Sequence, residues 1–474
     1  PQAKTLTLEW VGLFPGKRES RRFNGLYTLT QQDVINQSIH YDAVAYGGWA
    51  IDLHPADGVY AGGNGCHQWH SKGVYQIPYR CYVTPDLDNL FVGGRIISSS
   101  HVANGTTRVM CTSALGGEVI GRAASICLSK GYKPIDLVDR DRIGLLQSLL
   151  VKNGNFIPGI AVAVEDNLAD SAEISVSSVL ELDDLPADGT WFGLDYPIAQ
   201  LIPVNGKVPV VRMNVKADNA TRLVMELRSS SKSENYTPDT IDAVLEFDLK
   251  KDENEIVADF SYSYATPRYA FICLMKNPEI SVPMSGRLVT GLTAVYNYIN
   301  PAVSNFGKQV PPEGIGVEEF EFWCPKRRPE SKNIAMSFAP PLASFNSENL
   351  RNSYYRPYIG TNAWVAAFDD ARPEVCFKWN GRKQIKTIIL YFDTDTDQAM
   401  ETVQMGHFDA CVPTCYREYI VRDSVGKELY HITGNHQTLN VLELDQPVTT
   451  DAIYVNFVRP CGDVCPGLMG VYVC

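Results

Sequence analysis

Asn89-Leu90-Phe91-Val92-Gly93-Gly94-Arg95, followed after a short connection by Val109-Met110-Cys111-Thr112-Ser113-Ala114-Leu115-Gly116-Gly117-Glu118-Val119-Ile120-Gly121-Arg122-Ala123-Ala124-Ser125-Ile126-Cys127-Leu128-Ser129-Lys130-Gly131, decides how the first part of the chain is read. The opening run predicts a short buried strand ending in two glycines, where another group can approach the backbone closely. A loop carrying His101, Asn104, Gly105, Thr106 and Arg108 is expected next. The second run predicts a helix, capped by Thr112 or Ser113 and ended by Gly131. Its small residues Ala114, Gly117, Gly121, Ala124 and Ser125 would let it lie tightly against a sheet or a cofactor. A helix start also offers free N–H groups and the positive end of a dipole to electron-rich oxygens.

Outward from this segment the character changes near Asn155. Helical periodicity gives way to alternation, as in Val208-Pro209-Val210-Val211-Arg212-Met213-Asn214-Val215 and Arg222-Leu223-Val224-Met225-Glu226-Leu227-Arg228. Such alternation predicts half-buried strands, and several of them between polar turns predict a sandwich. A linker is expected around Pro325-Lys326-Arg327-Arg328-Pro329. Beyond it Thr387–Phe392, Glu418–Arg422 and Ala452–Val458 predict a second sandwich without a long helix. The 474 residues thus divide into 1–150, 151–325 and 326–474, in line with a prior of roughly 150 residues per domain. The fold class expected is multidomain α+β: part of an α/β domain, then two β-sandwiches.

A net charge of −12 argues against a nucleic-acid partner held by a basic surface. No apolar run is long enough for a membrane span. The start, Pro1-Gln2-Ala3-Lys4-Thr5, has neither the basic region of a signal peptide nor an initiator Met. An upstream signal removed by processing would make the protein periplasmic or secreted, so the compartment stays open. The pairs Cys411/Cys415 and Cys461/Cys465 leave zinc, disulfides and free thiols all open, and no metal is assigned. Cys66-His67-Gln68-Trp69-His70 has a metal-like look, but is read as a solvent-facing loop.

The run from Phe91 to Arg95, with Ser100-His101-Val102-Ala103, Thr107-Arg108-Val109-Met110 and the small-residue helix, resembles the last flavin-contacting element of the FAD-dependent oxidoreductase family. Earlier stretches fit the same family in the same order: Pro15–Phe23, Tyr27–Val34, Gly47–His54 and Tyr75–Arg80. The resemblance implies FAD as cofactor, met by Gly93, Gly94, Arg95, Thr112, Ser113 and Ala114, with the helix start aimed at the charge around N1 and the C2 carbonyl of reduced flavin. It implies hydride transfer from a hydroxyl to flavin. His101 and His54 are the acid/base candidates and Arg108 a further catalytic candidate. Arg18, Arg21 and Arg22, clustered with Glu19, fall on the substrate side or form an ion-pair network.

The family's Gly-x-Gly-x-x-Gly turn and the glutamate for the adenosine ribose are missing, and Leu115-Gly116-Gly117-Glu118 stands where the family often has Gly-Gln-Ala. The expectation is therefore that this chain alone holds FAD weakly or not at all, with a missing amino-terminal segment or a homo-oligomer as further partners. The last segment resembles a galactose-binding-type jelly roll, with Trp364 and Trp379 as aromatic platforms for a sugar. Two readings stand: an oxidoreductase acting on a carbohydrate or polyol, and a non-catalytic carbohydrate-binding or structural protein retaining a relic of the flavin fold.

Overall fold

The computed structural model describes residues 7, 9–13, 19, 21–161, 164, 166–300, 305–326, 332–394, 414–462 and 464–474. Among the described residues the amino-terminal unit carries four α-helices and two short antiparallel ladders. Thr30 starts α1 (Gln31–Asn36) with a capping box, its hydroxyl accepting from the Asp33 N–H while the Asp33 carboxylate accepts from the Thr30 N–H. Ser100 caps α2 (His101–Thr107), and Asp139 caps α4 (Arg140–Lys152). Between them α3 (Met110–Lys130) stops at Gly131, whose φ of 69° is the left-handed conformation expected of a helix-ending glycine. The ladders pair Ala43–Gly47 with Tyr75–Pro78, and Ile51–Leu53 with His67–Trp69.

Three local expectations are corrected. The run from His101 is helix α2 rather than loop, because the Ser100 hydroxyl accepts from the Ala103 N–H at 3.2 Å and polar side chains that look solvent-bound are buried with partners. Asn104 donates to the Arg95 carbonyl (3.1 Å) and Thr106 to the Trp49 carbonyl (2.7 Å). Helix α3 begins before Thr112 and Ser113: Val109 is its cap, without a side-chain hydrogen bond, and the Ser113 N–H already bonds back to the Val109 carbonyl at 3.0 Å. Phe91 makes only an isolated bridge to Val83, and the chain then turns through the 3-10 segment Gly94–Ile96 with Gly94 at φ 67°. A left-handed residue there ends any extended run.

The middle unit is a β-sandwich. One sheet orders Thr240–Leu249, Thr221–Ser229, Ser263–Leu274, Ile198–Lys207, Thr293–Tyr296 and Cys324–Pro325. The facing sheet runs from Asn333–Ile334 through Asn277–Ser285, Val210–Ala217 and Met336–Leu342 to Leu182–Leu185. Asp252–Ala258 and Trp191–Leu194 pair onto its flanks. The alternation read in the sequence is the burial pattern observed: Val211, Met213 and Val215 face the core, while Arg212 and Asn214 face out. Burying such aliphatic side chains is worth about 1.5–3 kcal/mol each.

The last unit folds one sheet onto itself. Two long strands, Glu374–Phe392 and Leu439–Pro460, pair along both ends of their length with register breaks between. One end of Glu374–Phe392 also pairs Gly467–Val473 and the other end pairs Glu173–Val176. Phe377, Trp379, Leu390, Phe392, Tyr419 and Val471 meet in the enclosed core.

Sheet membership runs across the linker expected near residue 325. Glu173–Val176 joins the last sheet, whereas Met336–Leu342 joins the middle one. The linker itself lies partly outside the described residues. The units are tied by polar contacts: the Gln37 and Asn235 amides bond reciprocally at 2.7 and 2.8 Å, and Tyr391 donates to the Lys152 carbonyl at 2.6 Å. Among the described residues no helix is long and apolar enough to cross a membrane.

Candidate active site

Helix α2 lies so close over the strand Ile51–Leu53 that a Cβ at Gly105 would stand 3.1 Å from both the nitrogen and the oxygen of Asp52. Glycine at that position is what allows the approach, and the approach brings Arg108, just past the helix end, onto Asp52. Its Nη2 donates to the Asp52 carbonyl at 2.8 Å and stands 3.5 Å from Asp52 Oδ2. His54 Nε2 reaches the same Oδ2 at 3.0 Å, and His54 Nδ1 lies 2.9 Å from the Gly65 carbonyl. The other carboxylate oxygen, Asp52 Oδ1, is buried with no hydrogen-bond partner among the described residues.

Two of the expected catalytic residues, His54 and Arg108, therefore converge on an aspartate that the sequence reading did not single out. Asp52 and His54 are two apart on an extended segment, so their side chains share a face; that periodicity was the available signal. Both ring nitrogens of His54 face oxygen acceptors. This arrangement suits an imidazole that ties the segment after Leu53 to Gly65 better than one with a nitrogen open to a substrate proton.

His101 is placed differently. It opens α2, its side chain is 62% exposed, and Nδ1 lies 2.8 Å from Glu19 Oε2. A carboxylate can only accept, so Nδ1 is the donor in this contact. Glu19 also pairs with Arg22, whose Nε donates to the Ser99 carbonyl at 2.7 Å. The chain of contacts Arg22–Glu19–His101 thus anchors the imidazole to the loop that leads into α2.

The cofactor candidates divide. Gly93 lies against α3, where an added Cβ would stand 2.6 Å from Ile120 Cδ1, and the Asn104 bond to the Arg95 carbonyl ties this turn to α2. Arg95 is exposed. Ala114, Gly117 and Gly121 lie on the outward face of α3, and nothing stands within 4 Å of a Cβ built at either glycine. Thr112 is buried within the first turn, and Ser113 is half-buried beside it. Arg21 is exposed, and Arg18 lies outside the described residues.

Two further expectations are corrected. Trp364 is fully buried, its indole N–H donating to the Ser178 carbonyl at 2.9 Å and its ring packed near Phe457. Trp379 is likewise core, bonded to the Leu168 carbonyl. A ring enclosed on both faces cannot stack on a sugar. His70 is buried against Phe322 rather than solvent-facing, and burial pushes its imidazole down to about 4. Only His67 of that pair is exposed.

Among solved structures, the chain is similar to the family 32 carbohydrate-binding module from Streptococcus pneumoniae EndoD, at 11% identity over 28% of this chain and 86% of that one, with a TM-score of 0.22. It is similar to chitosan-binding module 1 from a Paenibacillus sp. IK-5 chitosanase/glucanase at 10% identity, over 28% of this chain and 86% of that one, TM-score 0.21. The family 32 module of C. perfringens NanJ, solved with galactose, gives 11% identity over 27% of this chain and 85% of that one, TM-score 0.21. Likenesses this faint carry no argument about a ligand. No curated protein matches. Residues 1–150, the unit that holds Asp52, His54, His101 and Arg108, match the family model described as FAD dependent oxidoreductase.

Proposed function

We propose that this protein oxidises a hydroxyl of a carbohydrate or polyol with FAD, and that His101 is the base that takes the hydroxyl proton. The observation that carries the reading is the His101–Glu19 contact at 2.8 Å within the family-matched segment: one ring nitrogen is anchored on a carboxylate, and in the neutral imidazole the other is an acceptor. His54, with both nitrogens facing acceptors, and Arg108, committed to Asp52, have positioning roles in this scheme.

The residues present fit the flavin ring end. The first turn of α3 has no side-chain cap, its N–H groups and dipole favour an electron-rich oxygen, and the outward face at Ala114, Gly117 and Gly121 leaves room for a planar group. Gly93, Gly94 and Arg95 would border the same group. When bound, the flavin supplies the hydride acceptor. The protein's own share is to orient the substrate hydroxyl, to draw its proton onto His101 Nε2, and to steady the resulting imidazolium with Glu19.

The test is anaerobic reduction of the flavin in the natural protein by a panel of sugars and polyols, for wild type and His101→Gln. Flavin bands in both proteins, with reduction slowed about 100-fold or more in the variant, are expected. Absence of flavin bands together with no uptake of added FAD would overturn the reading, and so would an unchanged rate in the variant.

A further inference from the structure

The outer face of the seven-stranded sheet in the middle sandwich holds a cleft of about 380 Å³, remote in the chain from the family-matched segment. Its floor follows from strand pairing. Arg212 stands opposite Ser337, and Ser337 opposite Asp184, so the three side chains share one rung and one face. One step along the same face, Asn214 stands opposite Glu255, and beyond it Lys216 opposite Glu253. Trp191, next to Pro283 on the flanking strand, closes one side with 38% of its surface exposed. Lys216 Nζ lies 4.1 Å from the Trp191 ring centre and 3.3 Å from Glu253 Oε1.

This face differs from an ordinary solvated sheet surface. On the other sheet Arg222 pairs across strands with Glu246 at 2.7 Å and Asp248 at 2.9 Å. In the cleft, among the described residues, no hydrogen bond or ion pair engages the side chains of Arg212, Asn214, Glu255 or Ser337. A guanidinium, an amide, a carboxylate and a hydroxyl thus converge beside a part-exposed indole with their bonding capacity unspent. An apolar surface rimmed by a few such polar groups is the composition of a small-ligand site. Planar bidentate groups suit vicinal hydroxyls, and an indole suits the apolar face of a sugar ring. With Lys216 paired to Glu253 and Arg287 beside Asp184, Arg212 is offset by Glu255, so the cleft carries no net positive charge to attract a phosphorylated or acidic ligand.

We propose that this cleft binds a neutral glycan, seating one pyranose against Trp191 with its hydroxyls on Arg212, Asn214 and Glu255. The site holds a polysaccharide chain to the protein independently of any flavin chemistry.

The experiment titrates the natural protein with maltotriose, cellotriose, xylotriose, mannotriose and chitotriose up to roughly 10 mM each, reading heat and tryptophan fluorescence. At least one is expected to bind. Trp191→Ala and Asn214→Ala should each weaken that binding about tenfold or more. Asn214 is exposed, so its variant remains readable should Trp191→Ala fold poorly, and Arg222→Ala on the opposite sheet should bind as wild type. Binding by none of the five, or full binding by both cleft variants, overturns the proposal; the second result would put the sugar elsewhere on the chain.

Discussion

Replacing Arg108 by Ala should loosen the strand Ile51–Leu53 more than it disturbs the charge of Asp52. The guanidinium meets Asp52 through two contacts of unequal quality: 2.8 Å to the Asp52 carbonyl and 3.5 Å to its carboxylate, the latter at the edge of a hydrogen bond. With only 12% of the Arg108 side chain exposed, little water is at hand to replace the lost donor. A hydrogen bond from a charged donor is worth about 1.5–3 kcal/mol, which converts to roughly 10- to 150-fold faster exchange of the strand amides if they open locally. The assay is hydrogen–deuterium exchange of peptides covering residues 50–54 and 67–70, the two sides of that ladder. Asp52→Asn supplies the second arm. It removes the carboxylate charge and leaves the carbonyl, so the Arg108→Ala effect should persist nearly whole in the Asp52→Asn background. Exchange within about twofold of wild type in the single variant would refute the reasoning. Loss of the effect in the double variant would show that the carboxylate, not the carbonyl, holds the guanidinium.

Two neighbouring glycines of α3 should respond in opposite directions. A Cβ at Gly116 would stand 2.8 Å from Tyr82 Cε1 in a fully packed core, so Gly116→Ala should cost about 1–3 kcal/mol, whereas Gly117 faces open space and Gly117→Ala should stabilise the helix by about 0.5–1 kcal/mol. Thermal melting of the two variants checks this, and shifts of the same sign would sink it. Acid should weaken the packing around His70. Its imidazole, held at about 4 by burial, ordinarily titrates near 6.5, so below that pH the unfolded chain binds a proton that the folded chain refuses. The stability contributed is present above about pH 6.5 and is lost as pH falls toward 4, to a total on the order of 3 kcal/mol. Urea midpoints at pH 7 and pH 5 should fall further in wild type than in His70→Phe; equal falls would refute the assignment.

What the sequence determined by itself is the part governed by local chemistry. Gly131 ends α3 because the left-handed conformation is open to glycine, and the alternation from Val210 to Val215 makes a half-buried strand because side chains in extended backbone point to opposite faces. The order of motifs through the first 131 residues carried the family relation. What only the tertiary structure decided depends on distant partners. The run from His101 looked like loop because Asn104 and Thr106 are polar, yet each bonds a carbonyl brought to it from elsewhere in the fold. Trp364 looked like a platform because a tryptophan in the sequence carries no mark of which side is enclosed; Phe457 and the Ser178 carbonyl, both far along the chain, settle it. His54 and His101 were equal candidates until Gly65, Asp52 and Glu19 took their ring nitrogens unequally. Periodicity and capping act within a few residues and can be read along the chain. Burial and the partner of a polar atom are properties of the assembled sheets and helices, and exist only once distant segments meet.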